Sequence, residues 1–362
     1  MEQPSNPLES RSSDRPYMPT PDQFVNALDD RESEKRPSPP RPKSPRNWRR
    51  IIRWTLLVLV LAGLAYVVIL ANNVAKISTK PLDLTGLATD SDGRTNILVL
   101  GKGDPGHAGQ DLTDTIMVIS LDTRTKRVAQ ISIPRDLRVK IPGYGANKIN
   151  SANALGGVDL AKQTVSNTLD IPVHYYVETN FSGLRGLVDA VGGIDVDVKA
   201  ALVDSEYPCD DNQYKVCGLN IQPGLQHMDG TKALQYARCR KGTCGNDFGR
   251  AERQQEVIGL VRAKLTQWGT IINPAKLTAV TAALRDGLIT DMGTVQMLQL
   301  ALDWQAAQNN QPIHLVLSTG TGGYLKNGGG SDLVPVDGTF DAIDNRVHNI
   351  FSVPQQSGDV PE

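Results

Sequence analysis

Asp114-Thr115-Ile116-Met117-Val118-Ile119-Ser120-Leu121, a polar turn Asp122-Thr123-Arg124-Thr125-Lys126-Arg127, and then Val128-Ala129-Gln130-Ile131-Ser132-Ile133-Pro134-Arg135-Asp136 form the stretch whose reading decides the fold. The apolar run from Ile116 to Leu121 is too short for a helix with a polar face, and its β-branched residues suit a strand buried on both sides. Two such runs across a polar turn predict a pair of strands at the centre of a sheet. Pro134 has no N–H to give to a ladder, so the second strand should stop there and leave Arg135 and Asp136 at its carboxyl end. Asp104 and Asp114 lie in the loop that enters the pair, within reach of Arg135. Two carboxylates and a guanidinium are the parts of a metal-assisted phosphate site.

Working outward, the ends of the chain do not resemble a domain. Residues 1 to about 48 are rich in Pro, Ser and charges of both signs, with too few apolar residues for a core, and read as a disordered tail. From Trp54 to Ala71 no residue is charged, which gives roughly 27 Å of helix, enough to span a bilayer. We place the transmembrane helix at 51–71. Arg46, Arg49, Arg50 and Arg53 precede it and only Lys76 and Lys80 follow closely, so the N-terminus is expected in the cytoplasm and the rest outside a cell membrane crossed once. Residues 72–93 read as a stalk, 94–325 as the catalytic domain and 326–362 as a C-terminal extension without chemical signal. The net charge of −1 argues against nucleic acid as a partner.

All four cysteines, Cys209, Cys217, Cys239 and Cys244, fall after the membrane segment, and an even number outside the cytoplasm predicts two disulfides. Three pairings are open. Cys209 with Cys217 and Cys239 with Cys244 close the shortest loops, but the sequence does not choose among the three. A zinc site is the rival, and the spacings are not those of common zinc fingers.

Within the exported part, Asn96-Ile97-Leu98-Val99-Leu100 reads as a buried strand running into Gly101-Lys102-Gly103-Asp104-Pro105-Gly106. The glycines match a dinucleotide fingerprint, but that motif needs a helix at its third glycine, and here a strand follows. Asp159 to Leu169 has helical spacing, Val173 to Glu178 reads as a strand, and Asn180 caps a helix that ends at Gly192-Gly193. Lys199 to Asn220 reads as a surface excursion. A short helix from Gly230 ends at Arg238-Cys239-Arg240. Residues two apart share a side only in an extended segment, so Arg238 and Arg240 can grip one anion only if the chain unwinds there, with Cys239 pointing the other way. Asp247 is expected to cap the next helix, to about Trp268, with Arg250, Arg253, Gln254 and Val257 on one face. Asn273-Pro274 should open another helix, and Asp291 to Trp304 a further one with Met292, Val295, Leu298 and Leu302 inward. Ile313 to Leu317 closes the list of strands.

These stretches resemble the LytR-CpsA-Psr cell-wall assembly family. The resemblance runs in consistent order through Asn96-Ile-Leu-Val-Leu-Gly, Ser132-Ile-Pro-Arg-Asp, Lys148-Ile-Asn, Val188-Asp-Ala-Val-Gly-Gly, Gly230-Thr-Lys-Ala-Leu-Gln-Tyr-Ala-Arg-Cys-Arg and Asp247-Phe-Gly-Arg-Ala-Glu-Arg-Gln-Gln. It implies a three-layer α/β/α fold, a central mixed sheet flanked by helices, with an apolar cleft for a polyprenyl chain. It also implies a phosphotransferase that moves an anionic glycopolymer from a polyprenyl-pyrophosphate carrier in the membrane lipid to a peptidoglycan hydroxyl, forming a phosphodiester. By the resemblance, Asp104 and Asp114 hold Mg2+ (or Mn2+), and Arg135, Arg238, Arg240 and Gln254 clamp the pyrophosphate. Asp247, Arg250 and Lys148 support the site. Asp104 is the first candidate for the base and Asp247 the second. The family usually has Arg-Ser-Asp-Thr where this chain has Leu112-Thr113-Asp114-Thr115; Lys102 and His107 are the residues that could replace the missing guanidinium. A phosphohydrolase, or a non-catalytic lipid-binding regulator of envelope synthesis, would carry the same cations.

Overall fold

In the computed structural model the described residues are 48–75, 78–80, 83, 85–106, 110–209, 214–265, 278–280, 282 and 287–359. Helix α1 (Trp48–Ala75) holds the uncharged run; it lies across the boundary of two units, Met1–Leu61 and Ala62–Glu362. Side chains inside α1 are described without interruption only from Ile52 to Tyr66, and among the described residues no helix is long and apolar enough to cross a membrane.

The second unit is built on β1 (Arg94–Lys102), β2 (Thr113–Asp122) and β3 (Arg127–Ser132). β4 (Arg138–Ile141) and β5 (Gly145–Lys148) form a hairpin before α2 (Ser151–Leu169), which kinks at Gly157. β6 (Tyr175–Asn180), α3 (Phe181–Ala190) and β7 (Ile194–Val198) follow, then the short pair β8 (Leu202–Asp204) and β9 (Leu219–Ile221). β10 (Gly224–Met228) pairs with β7 and leads into α4 (Gly230–Arg238) and α5 (Asp247–Leu265). β11 (Leu288–Thr290), α6 (Thr294–Ala306), β12 (Ile313–Val316), the hairpin β13 (Leu325–Gly329) with β14 (Asp332–Pro335), and α7 (Asp341–His348) complete the domain.

The main sheet runs β11-β6-β1-β2-β3-β12, with β2 inside it as the hairpin reading requires. It is mixed: β2 runs antiparallel to both β1 and β3, while β6 lies parallel to β1 and β12 parallel to β3. Alternation sorts the side chains into two cores. Leu98, Leu100, Val118 and Ile131 face α2 and α7, and Ile97, Val99, Met117 and Ile119 face the side of α6. A third cluster, with Val188, Val196, Ala233 and Val257, lies among α3, α4, α5 and β7. Full burial of each such aliphatic side chain contributes about 1.5–3 kcal/mol.

Several expectations need correction. The inward face of α6 is not Leu298 and Leu302, which are 62% and 57% exposed. The helix starts only after Gly293, so Met292 is buried ahead of it, and the row Gln296, Leu300, Trp304 turns toward the sheet. α5 is capped by Asn246, whose side chain accepts from the N–H groups of Phe248 and Gly249, which releases Asp247 for other contacts. Trp268 and the Asn273-Pro274 helix lie outside the described residues. The segment read as a stalk is laced to the domain: Thr79 N–H donates to Thr290 O and Ala88 N–H to the Tyr175 hydroxyl. The C-terminal stretch is likewise part of the core, since Ile343, Val347 and Ile350 pack against α2 and the sheet. Arg346 there makes three bonds to the fully buried Asp359, between 2.6 and 3.1 Å.

Removing one partner of such a pair leaves the other charge buried and uncompensated, so Asp359→Ala should lower stability by about 3–5 kcal/mol in urea unfolding. A loss below about 1 kcal/mol would place the C-terminal segment outside the cooperative unit.

Candidate functional site

Four chain segments bring polar residues to one edge of the main sheet. Lys102 ends β1 opposite Thr113 of β2 and Asn180 of β6, and β3 stops at Ser132, so Pro134 and Arg135 leave the ladder there. From this edge a cavity of about 630 Å³ runs between the sheet and α3, α5 and α6. Its inner wall is apolar, with Ile97, Val99, Leu184, Val257, Leu300 and Trp304 among its lining residues. Asp114, Arg135, Arg238, Arg240, Arg250 and Gln254 line it as well.

Asp247 is the centre of the charged cluster. Its carboxylate lies 3.3 Å from Arg135 Nε, 3.3 Å from Arg250 Nη1 and 3.9 Å from Arg240 Nη1. Arg135 also donates to Asp114 Oδ1 at 2.7 Å, and Arg250 Nη2 donates to the Asp114 carbonyl at 3.3 Å. Burial pushes the Arg135 guanidinium down, but its bond to Asp114 and the charges of Asp247, Asp114 and Asp136 outweigh this and raise its pKa. For Arg250, burial wins: its pKa is lowered, with Asp247 offsetting only part of the cost. The Nε of Arg250 is buried without a hydrogen-bond partner among the described residues, and that of Arg135 has only the ion pairs with Asp247 and Asp136. A buried donor such as Arg250 Nε is satisfied by a ligand or water, and an anion is a natural ligand for a guanidinium.

α4 ends at Arg238 because Cys239 leaves the helical region, with φ −54° and ψ 129°. The chain therefore extends where the double-arginine reading requires it. Arg238 and Arg240 both line the cavity, while Cys239 is fully buried in the opposite direction. The structure joins Cys239 to Cys244 and Cys209 to Cys217. Arg238 lies 4.1 Å from the Phe181 ring centroid and 5.6 Å from that of Tyr207, which fixes its plane. Arg253 turns away from the cavity instead and donates to the carbonyls of Tyr236 and Cys239, satisfying the end of α4.

Other expected residues stand apart. Asp104 is not in the cavity lining; it accepts from Ser182 N–H and hydroxyl at 2.8 and 2.9 Å and from Arg185 at 3.1 Å. Lys148 is bonded to Asp136 and Ser331 at 2.5 and 2.6 Å and is also outside the lining. Lys102 lines the cavity, paired with Glu178 at 2.7 Å, and Leu112 lines it where the resemblance led to an expectation of arginine; His107 lies outside the described residues. The carboxylates of Asp104 and Asp114 are hard oxygen donors of the kind Mg2+ takes. Among the described residues the one cluster of three metal-type ligands is Asp204, Cys239 and Cys244, and its two sulfurs are already tied in a disulfide.

The sequence reading missed Asp204, Glu206 and Tyr207, assigned to a surface excursion but found in the cavity wall. Asp204 is buried and accepts from the N–H groups of Glu206 at 3.0 Å and Lys241 at 3.2 Å, so it holds the turn that presents Arg240. A single Asp at the end of a three-residue strand gives no periodicity to find it by.

Residues 67–329 match the LytR_cpsA_psr family. The chain belongs to the LytR-CpsA-Psr family. A relative from Enterococcus faecalis, the polyisoprenyl-teichoic acid–peptidoglycan teichoic acid transferase TagU, is 33% identical over 71% of this chain and 83% of its own length. The regulatory protein MsrR of Staphylococcus aureus is 33% identical over 57% of this chain, which spans 60% of that relative. Among solved LytR-CpsA-Psr-like structures, TagT bound to LI-WTA superposes with a TM-score of 0.57 at 26% identity, covering 77% of this chain and 97% of that one.

Because Asp204 is buried and accepts backbone N–H bonds, Asp204→Ala should cost about 1–3 kcal/mol in urea unfolding, and Asp204→Asn, which keeps one acceptor oxygen, less. Equal stability of wild type and Asp204→Ala would remove it as the anchor of the Arg240 turn.

Proposed function

We propose that this chain transfers an anionic glycopolymer from a polyprenyl-pyrophosphate carrier to a peptidoglycan hydroxyl, forming a phosphodiester. The observation that carries the reading is the convergence of Arg135, Arg240 and Arg250 on Asp247 at one end of an apolar cavity. An apolar cavity suits an isoprenoid tail, and guanidiniums suit the pyrophosphate attached to it. The similarity to TagU, a polyisoprenyl-teichoic acid–peptidoglycan teichoic acid transferase, and to TagT bound to LI-WTA supports the same assignment.

In the proposed reaction the acceptor oxygen bonds to the glycan-side phosphorus, the bond from that phosphorus to the bridging oxygen breaks, and polyprenyl phosphate leaves. The hydroxyl proton passes to a carboxylate, for which Asp104 is the first candidate and Asp247 the second. Charge grows on the phosphoryl oxygens in the transition state, and planar guanidiniums at Arg135, Arg238, Arg240 and Arg250 are donors able to stabilise it. Gln254 adds an amide donor, and Lys148 acts through its bond to Asp136. Asp104 and Asp114 would hold Mg2+ or Mn2+, which would neutralise pyrophosphate charge. Membrane anchoring through 51–71 belongs to the same proposal. The exposed apolar side chains of Trp54, Leu57, Leu59, Leu61, Leu64 and Val68 around α1 support it, as does the arginine cluster before them.

Arg→Lys keeps the charge but loses the fork. Each charge-assisted bond contributes about 1.5–3 kcal/mol, so Arg240→Lys should reduce transfer roughly ten- to a hundredfold and Arg240→Ala more, with thermal melts unchanged. The assay uses lipid-pyrophosphate donor, peptidoglycan fragment and Mg2+, and normal transfer by Arg240→Ala removes that residue from the site. Chelation by EDTA should abolish transfer and Mg2+ restore it; full activity in EDTA sinks the metal assignment.

A further inference from the structure

A second concavity, about 330 Å³, lies beside the first and shares Lys102, Thr179, Asn180 and Leu288 with it. Gln110, Asp111, Glu178 and Ile289 complete its distinctive wall. We infer that this groove seats the acceptor, a neutral hydroxyl-rich sugar of a glycan strand, with the reacting hydroxyl at the wall the two spaces share. The inference rests on the transfer reading and adds the acceptor's place to it.

Charge separates acceptor from donor. The wall carries one cation, Lys102, against two carboxylates, Asp111 and Glu178, so it repels a second polyanion, whereas the neighbouring cavity is lined by guanidiniums. Amide, carboxylate and ammonium groups together offer both donors and acceptors, which matches a ring whose hydroxyls each do both. Ile289, about half exposed, gives the C–H face of such a ring an apolar surface.

The groove is built, not incidental. β11 pairs with β6 so that Leu288 lies opposite Thr179 and Ile289 opposite Glu178. Thr179 donates to the Gly287 carbonyl at 2.9 Å. Gly183 and Gly287 approach so closely that a Cβ on Gly287 would meet Gly183 Cα at 2.2 Å, so neither position admits a side chain without moving the wall. Glu178 is itself buried, held by Lys102 at 2.7 Å and Asn153 at 3.2 Å, so the inner wall is fixed before any ligand arrives. Because Lys102 also lines the donor cavity, a sugar in the groove and a phosphate at the arginines would meet at one side chain.

The test uses the full-length protein in detergent, with the double variant Gln110→Ala/Asp111→Ala, both exposed positions, and Ile289→Trp, which fills the groove. Loss of one or two hydrogen bonds should raise KM for a soluble glycan-strand fragment about tenfold in the double variant. Donor KM and acceptor-free hydrolysis of the donor should be unchanged. Binding of the same fragment, followed by saturation-transfer NMR without donor, should weaken in parallel in both variants. Wild-type transfer with unaltered acceptor KM in both variants overturns the groove and leaves the transfer reading standing. A raised donor KM with unaltered acceptor KM assigns the groove to the donor and overturns it too. If wild type does not transfer at all, the transfer reading falls. Fragment binding then decides the groove alone: lost in the variants it supports a carbohydrate site, and equal in all three proteins it overturns one.

Discussion

Burial of β1, β2 and β3 on both faces is the constraint on which the rest of the domain depends. A strand covered on both sides has no face for charge, so its polar residues collect at its ends. In this sheet one edge gathers the end of β1, the start of β2, the end of β3 and the end of β6, because β2 runs antiparallel to its neighbours and β6 parallel to β1. Lys102, Asp114, Arg135 and Asn180 reach the same place by topology alone. The helices covering that face leave an apolar space between themselves and the sheet, and the charged edge becomes one end of it.

Holding several guanidiniums close together costs free energy, and the domain meets the cost with Asp247. Three arginines from different elements share this one carboxylate, and Asp114 takes the outer side of Arg135. Asp247 thus holds the three guanidiniums from outside the cavity lining. A dianionic or trianionic ligand entering there meets side chains already oriented, which lowers the ordering cost of binding.

Much of this was legible in the sequence where a local rule acts. Pro134 stopped β3 by chemistry, Asn180 capped α3 through a bond to Gly183, and the spacing of Arg238 and Arg240 required the helix to end between them. The fold itself was implied by family resemblance and agrees with the sheet order. What could not be read were contacts set by distant chain. Nothing near Asp204 says that it will hold the turn after α4, and nothing near Asp104 says that Ser182 and Arg185 will engage it. The wrong face of α6 came from assuming a start at Asp291, although Gly293 delays the helix and changes its phase.

The place of α7 has a kinetic consequence. Arg94, at the start of β1, donates to the carbonyls of Val347 and His348, more than 250 residues later, and Ile343 and Val347 cover the sheet beside it. Such contacts give the domain high contact order, so loop closure must precede the reward for it and folding is slow. Until α7 docks, the part of that apolar face which α2 does not cover stays open to other chains. The time that face waits for its cover is the interval in which the chain is open to aggregation.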